Sequence, residues 1–167
     1  MKMDKRIKQI SCSRLLCIAA VCLTAVVVFW CLFSSVQMHR QAALKDQISL
    51  AEDGSYYSKE DVAAYLYKYG HLPSNYITKS LAQASGWTGG SIEAVMPGYA
   101  IGGDRFHDSY RSDLPLERMT GRYYRECDVN TQGKPDRGPE RLIYSNDGLI
   151  YYTQDHYKTI ILLYGAP

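Results

Sequence analysis

In this chain of 167 residues, a carboxylate at Glu126 and an imidazole at His156 are the groups best suited to exchanging protons, and Lys79, Arg137 and Arg141 are suited to holding an anion. A carboxylate can accept a proton and an imidazolium can donate one. Guanidinium and ammonium groups answer negative charge that builds on oxygen. Each residue also has a plainer reading. Lys79 sits in the first turn of the short helix expected in ITKSLAQASG, where free N–H groups make a phosphate seat, yet a solvated lysine is common there. Arg137 and Arg141 stand on either side of Pro139 in DRGPER and read equally as a charge patch balanced by Asp136 and Glu140. Glu126 alone is an ordinary strand carboxylate, and His156 alone a pairing or core histidine.

The elements that must position these groups fall in two blocks. In YYSKEDVAAYLYKYGHLP, Ser58 reads as an N-cap, Val62, Leu66 and Tyr69 form an apolar stripe with Ala63 and Tyr65, and Gly70 closes the helix. A shorter helix is expected from Thr78 to Gly86, and a helical turn from Ser91 to Met96. From residue 99 onward the pattern becomes that of strands: AIGGDRF, GRYYRECDV, RLIYS, and then LIYYTQDHYKT after a tight turn at Asp147-Gly148. Helices first and antiparallel strands afterwards predict an α+β domain with helices on one face of the sheet. Period two places Arg122, Tyr124, Glu126 and Asp128 on one face of their strand, and Tyr152, Gln154, His156 and Lys158 on one face of the last. Neighbouring strands would then set Glu126, Arg141 and His156 side by side on the sheet's open surface.

Composition is that of a globular chain, 46% apolar and 22% charged, but the charge is uneven. Residues 1–50 hold seven of the 19 Lys and Arg and two of the 17 acids, leaving 12 bases against 15 acids in 51–167. A polyanion would have to be gripped by a local cluster of cations, since the domain's overall field repels it. The basic stretch MKMDKRIKQISCSR precedes 19 uncharged residues, Leu15 to Phe33, long enough to span a bilayer with the basic end in the cytoplasm. Residues 1–36 are read as a signal peptide or uncleaved signal anchor, 37–55 as a polar linker, and 56–167 as the exported domain. Four of five cysteines lie in or beside the apolar stretch. Cys127 is alone in the domain, which by count excludes an internal disulfide or a cysteine zinc site there.

The stretches HLPSNYITKSLAQASGW, PGYAIGGDRF, YYRECDVN, DRGPERLIYS and DGLIYYTQDHYKT, in this order, resemble barnase and its relatives among secreted bacterial guanyl-specific ribonucleases, over Val62 to Thr159. The resemblance implies N-terminal helices against a five-stranded antiparallel sheet. It implies a metal-independent endoribonuclease without a cofactor, in which the ribose 2′-hydroxyl of single-stranded RNA attacks the neighbouring phosphorus. Glu126 is then the general base, His156 the general acid, Arg137 and Arg141 the phosphate-binding arginines, and Lys79 a further cation. Tyr157 resembles the tyrosine that contacts substrate, and Asp104 an acid that arranges the lysine.

The loop that reads the base is FHDSYRSDLP here, one residue longer than in that family and without its glutamate. Phe106 matches the loop's start and Arg111 its arginine. Asp108 or Asp113 could replace the glutamate, and His107 either stacks on a base or is an exposed loop residue. The partners implied are RNA, a small acidic cytoplasmic inhibitor of the barstar type facing Lys79, Arg137 and Arg141, and the membrane if the leader is uncleaved. A secreted or membrane-anchored monomer is expected. The rival reading is a catalytically silent module that binds an anion or a protein in the same pocket.

Overall fold

The computed structural model describes residues 2–107, 116 and 119–165, with side chains from residue 22 onward. It divides into two units, residues 1–47 and 48–167. The first is one helix, α1 (Lys2–Gln47). Its Cys22–Gln47 part contains an 18-residue stretch of mean hydropathy 1.6 and is long and apolar enough to cross a membrane, a property that a signal sequence shares. The helix runs through residues 37–47, a stretch read from sequence as linker.

The second unit begins at Ile48 because the residues after it are tied to a helix further on. In α2 (Lys59–Tyr69), the Lys68 ammonium donates to the carbonyls of Ile48 and Leu50 at 2.8 and 3.1 Å. The Tyr69 and Tyr65 hydroxyls donate to Leu50 and Glu52 at 2.6 and 2.7 Å. Ser58 caps α2 by accepting from the Asp61 N–H, and Gly70 ends it in the left-handed conformation, both as the sequence pattern predicts. The helix buries Val62, Ala63, Tyr65 and Leu66. α3 (Lys79–Ala84) is capped by Thr78, and a 3-10 turn at Ile92–Ala94 is capped by Ser91.

The sheet runs β1 (Tyr76–Ile77), β2 (Ala100–Arg105), β3 (Tyr124–Asp128), β4 (Arg141–Ser145), β5 (Ile150–Thr153) and β6 (Ile161–Tyr164), each beside the next. The five long-expected strands, β2 to β6, are antiparallel. The two-residue β1 adds a sixth, parallel to β2, so the sheet is mixed. One face packs on α2 through Val62, Leu66, Cys127, Val129, Leu142 and Ile150. Removing side chains of this size from water stabilises by about 1.5–3 kcal/mol each. A separate cluster, Leu116, Ile143, Leu149 and Tyr151 with Phe106 and Tyr157 against it, covers part of the other face. That face is therefore not open along its length, as the alternation alone suggested.

The strand expected over LIYYTQDHYKT is shorter than its apolar run implied. β5 stops at Thr153, and residues 154–160 form a loop before β6. Side chains close this loop in place of a ladder. The Asp155 carboxylate accepts from the Thr159 N–H and hydroxyl at 2.8 and 2.7 Å, and the Thr153 hydroxyl accepts from the Tyr157 N–H at 2.8 Å. His156 and Tyr157 have φ of 56° and 68°, so the period-two assignment of Gln154, His156 and Lys158 to one strand face does not apply.

Candidate active site

The site is assembled on the centre of the sheet. Register sets Asp104 opposite Glu126 across β2 and β3, Asp128 opposite Arg141 across β3 and β4, and Arg141 opposite Thr153 across β4 and β5. An irregularity between Gly102 and Asp104, with Gly103 at φ 92°, lets the Asp104 carboxylate reach the Lys79 backbone N–H at 2.9 Å. Asp104 thus anchors the start of α3, and through it the lysine, by the backbone rather than by the ammonium.

The Lys79 ammonium instead donates to Glu126 Oε1 at 2.7 Å. Tyr157 donates its hydroxyl to Glu126 Oε2 in a short hydrogen bond. Burial by itself raises the Glu126 carboxyl, but the bonds from Lys79 and Tyr157, with the charges of Lys79 and Arg141, outweigh it and hold the group below its ordinary value. Glu126 is therefore an ionised carboxylate whose oxygens face two donors. Tyr157 is the mirror case: burial first, then the neighbouring carboxylate, raise its hydroxyl well above the usual range, so it remains a donor.

His156 lies in the loop after β5, its N–H donating to the Pro139 carbonyl at 3.2 Å and its ring 4.9 Å from that of Tyr157. This contact joins the histidine loop to the loop that carries Arg137. Glu126 and His156 line one cleft of about 510 Å³ together with Lys79, Arg105, Phe106, His107 and Tyr157. His156 also borders a shallower cleft of about 530 Å³ with Gly90, Asp136, Arg137, Gly138 and Pro139. The imidazole thus stands on the wall common to two clefts.

The two arginines are joined by a residue to which sequence reasoning assigned no role. Asp128, 2% exposed, accepts from Arg137 Nε and Nη2 at 2.6 and 2.8 Å and pairs with Arg141 Nε at 2.8 Å. Burial raises its carboxyl, and the arginines pull against that shift. Period two had already set Asp128 on the face of Glu126, which was the available signal. Arg141 is nearly sealed, at 5% exposure, and its Nη1 donates to the carbonyls of Arg137, Gly138 and Glu140. Arg137 is more open, with its guanidinium 5.7 Å from the Trp87 ring.

The structure thus brings Lys79, Glu126, His156, Tyr157, Phe106 and His107 to one cleft, and Arg137 to the adjoining one. Arg141 and Asp104 lie beneath, acting through Asp128 and Lys79. Phe106 packs against Tyr157 at 5.3 Å, and His107 is exposed. Asp108 and Arg111, like Asp113, lie outside the described residues. Arg122 pairs with Asp147 at 2.7 Å away from the cleft, the arginine side chain 7% and the aspartate 38% exposed. Among the described residues no cluster of three His, Cys, Asp or Glu side chains is arranged to hold a metal ion.

A ribonuclease family profile matches residues 59–163. A ribonuclease of Heyndrickxia coagulans is 46% identical over 102 residues, covering 60% of this chain and 90% of the relative. Ribonucleases of Bacillus intermedius and Bacillus pumilus are 46% identical over 102 residues, covering 60% of this chain and 60% of each relative. The matched span contains Lys79, Glu126, Arg137, Arg141 and His156, and it coincides with the helices and sheet that carry the clefts. The chain belongs to the ribonuclease family, among its barnase-like bacterial members.

Proposed function

We propose that this protein is an endoribonuclease that cleaves single-stranded RNA by attack of the ribose 2′-hydroxyl on the adjacent phosphorus. Glu126 takes the 2′-hydroxyl proton, the new O2′–P bond forms, the P–O5′ bond breaks, and His156 gives its proton to the departing 5′-oxygen. Water then opens the 2′,3′-cyclic phosphate with the two groups exchanging roles. Lys79 and Arg137 face the charge on the non-bridging oxygens, and Arg141 adds to the local potential from below. All of these charges come from the chain itself, so the proposed mechanism is metal-independent. The observation that carries this reading is the shared cleft, lined both by an ionised Glu126 between two donors and by His156.

The finer assignments rest on other supports. Guanyl preference is supported by the resemblance of the sequence motifs, with Phe106 and His107 at the cleft as its local support. Action outside the cytoplasm is supported by α1, whose length and apolar character suit a leader or anchor. A small acidic inhibitor of the barstar type would reach Lys79 and Arg137, whose side chains are 38% and 23% exposed, before the covered Arg141.

The test uses the full chain in detergent with a short RNA and its DNA counterpart. Expected are a 2′,3′-cyclic phosphate product, cleavage that survives chelator, uncut DNA, and losses of about 10²- to 10⁴-fold for Glu126→Ala and for His156→Ala. Either variant turning over RNA at the parent rate would overturn the assignment.

A further inference from the structure

Arg105 and Arg125 are direct cross-strand partners on β2 and β3. Like charges so placed repel one another unless something between them is attractive. Both side chains are exposed, and among the described residues neither is ion-paired. The carboxylate next in sequence, Asp104, is committed to the Lys79 N–H at 2.9 Å. The two guanidinium groups instead converge on one ring: Arg105 Cζ lies 4.3 Å and Arg125 Cζ 5.8 Å from the centre of Tyr123. Arg125 is held further by a short bond to the Gly103 carbonyl, and Tyr123 by its N–H to Asn146 Oδ1 at 2.8 Å.

The position of this pair is informative. β1 pairs with Ala100 and Ile101, so among the described residues the second half of β2 has no strand on its outer side. Arg105 lines the cleft that holds Glu126 and His156, and Arg125, its direct cross-strand partner, lies beside it with its guanidinium directed to the same tyrosine ring. A polyanion leaving the cleft past Arg105 would next meet Arg125. The domain is net acidic, so a cluster of cations without a counter-charge among the described residues has an evident use there. Guanidinium forks also match phosphate oxygens in pairs.

We infer that Arg105 and Arg125, steadied by Tyr123, seat a phosphate of the RNA strand beyond the one being cleaved. This rests on the ribonuclease reading and adds to it a dependence on substrate length. The contacts to Tyr123 orient the forks in advance, so fewer side-chain rotations are lost when the strand arrives.

The experiment compares the full chain in detergent with the double variant Arg105→Gln, Arg125→Gln and with Arg105→Lys, Arg125→Lys, on a ribodinucleoside monophosphate and a ribohexanucleotide. The expected result is a fall in kcat/KM about tenfold larger on the hexanucleotide than on the dinucleotide for the glutamine pair, with partial rescue by the lysine pair. Binding of an uncleavable DNA hexanucleotide, followed by fluorescence anisotropy, is expected to lose about 0.7 from the slope of log K against log salt for each phosphate contact removed. Equal losses on both RNA lengths, or an unchanged salt slope, would overturn the seat. If the parent protein cleaves neither RNA, the catalytic reading fails, while the DNA arm still decides whether these arginines hold a phosphate.

Discussion

The Lys79 ammonium lies 2.7 Å from Glu126 Oε1, so a cation at the mouth of the cleft is also the strongest influence keeping the neighbouring carboxylate ionised. Burial alone would push that carboxyl upward; Lys79 and then Tyr157 reverse the sign. Lys79→Met leaves the burial and removes its main opponent, so the pKa of Glu126 must rise. The acid limb of kcat/KM, which reports the base in the free enzyme, should move to higher pH, and Tyr157→Phe should move it the same way by less. A pH profile on a short RNA checks this. A limb that stays in place or moves down in Lys79→Met contradicts the proposed coupling.

Asp128 is the hinge of the cationic side. It is 2% exposed and bound to both Arg137 and Arg141, which makes it more than a neutralising partner for either. Asp128→Ala would leave Arg141, itself 5% exposed, as a buried charge without its carboxylate. Breaking a buried pair in this way costs about 3–5 kcal/mol. Denaturant unfolding should show a loss of that size, and Arg137 should lose its bidentate hold and, with it, phosphate affinity. A loss below about 1 kcal/mol would mean that carbonyl groups alone suffice for Arg141.

The sequence pattern and the structure agree where local chemistry fixes local geometry. Ser58 and Gly70 bound α2 because a hydroxyl at the N-cap and a residue tolerant of positive φ at the end satisfy that helix whatever packs on it. Alternation likewise placed Glu126 and Asp128 on one face correctly. It failed for His156, because the Thr153 hydroxyl and the Asp155 carboxylate accept from the backbone N–H groups of Tyr157 and Thr159 and so compete with a ladder. Apolar periodicity carries no record of that competition. Nor could it show that Arg137 and Arg141 share Asp128, since their pairing depends on the register of β3 and β4. The family resemblance supplied the grouping of the site residues that composition and period left open.

Gly102 marks the closest approach in the sheet's site-bearing edge. A Cβ at this position would lie 2.5 Å from Cys127 Cβ and 2.7 Å from Tyr76 Cδ1. Both neighbours are packed in or against the helix-side core, so neither can give way cheaply. Gly102→Ala should therefore destabilise by about 1–3 kcal/mol through overpacking. Because Gly103 and Asp104 follow directly, the same change should also disturb the N–H contact that sets α3. Thermal unfolding reads the first effect and affinity for an uncleavable oligonucleotide the second. An alanine variant with parent stability would show that the two strands can separate without cost.

Thr153 carries the remaining test, since it connects β5 to the loop that displays His156 and Tyr157. Its hydroxyl accepts from the Tyr157 N–H at 2.8 Å and donates to Asp155 Oδ1 at 3.1 Å, and the residue is 1% exposed. His156 and Tyr157 hold positive φ, a conformation that costs an L-residue about 1–2 kcal/mol and persists only under such constraint. Thr153→Val keeps the shape and removes the acceptor, which leaves the half-buried Tyr157 N–H without this partner at a cost of about 1 kcal/mol. The loop can relieve this only by moving, and displacing a proton donor by about 1 Å can reduce turnover roughly 10²-fold. Thr153→Ser retains the hydroxyl and should recover most of the rate even if the smaller side chain packs less well. Measuring unfolding and kcat together separates the effects: a valine variant that loses stability yet turns over at the parent rate would make this hydroxyl a fold element with no part in aiming His156.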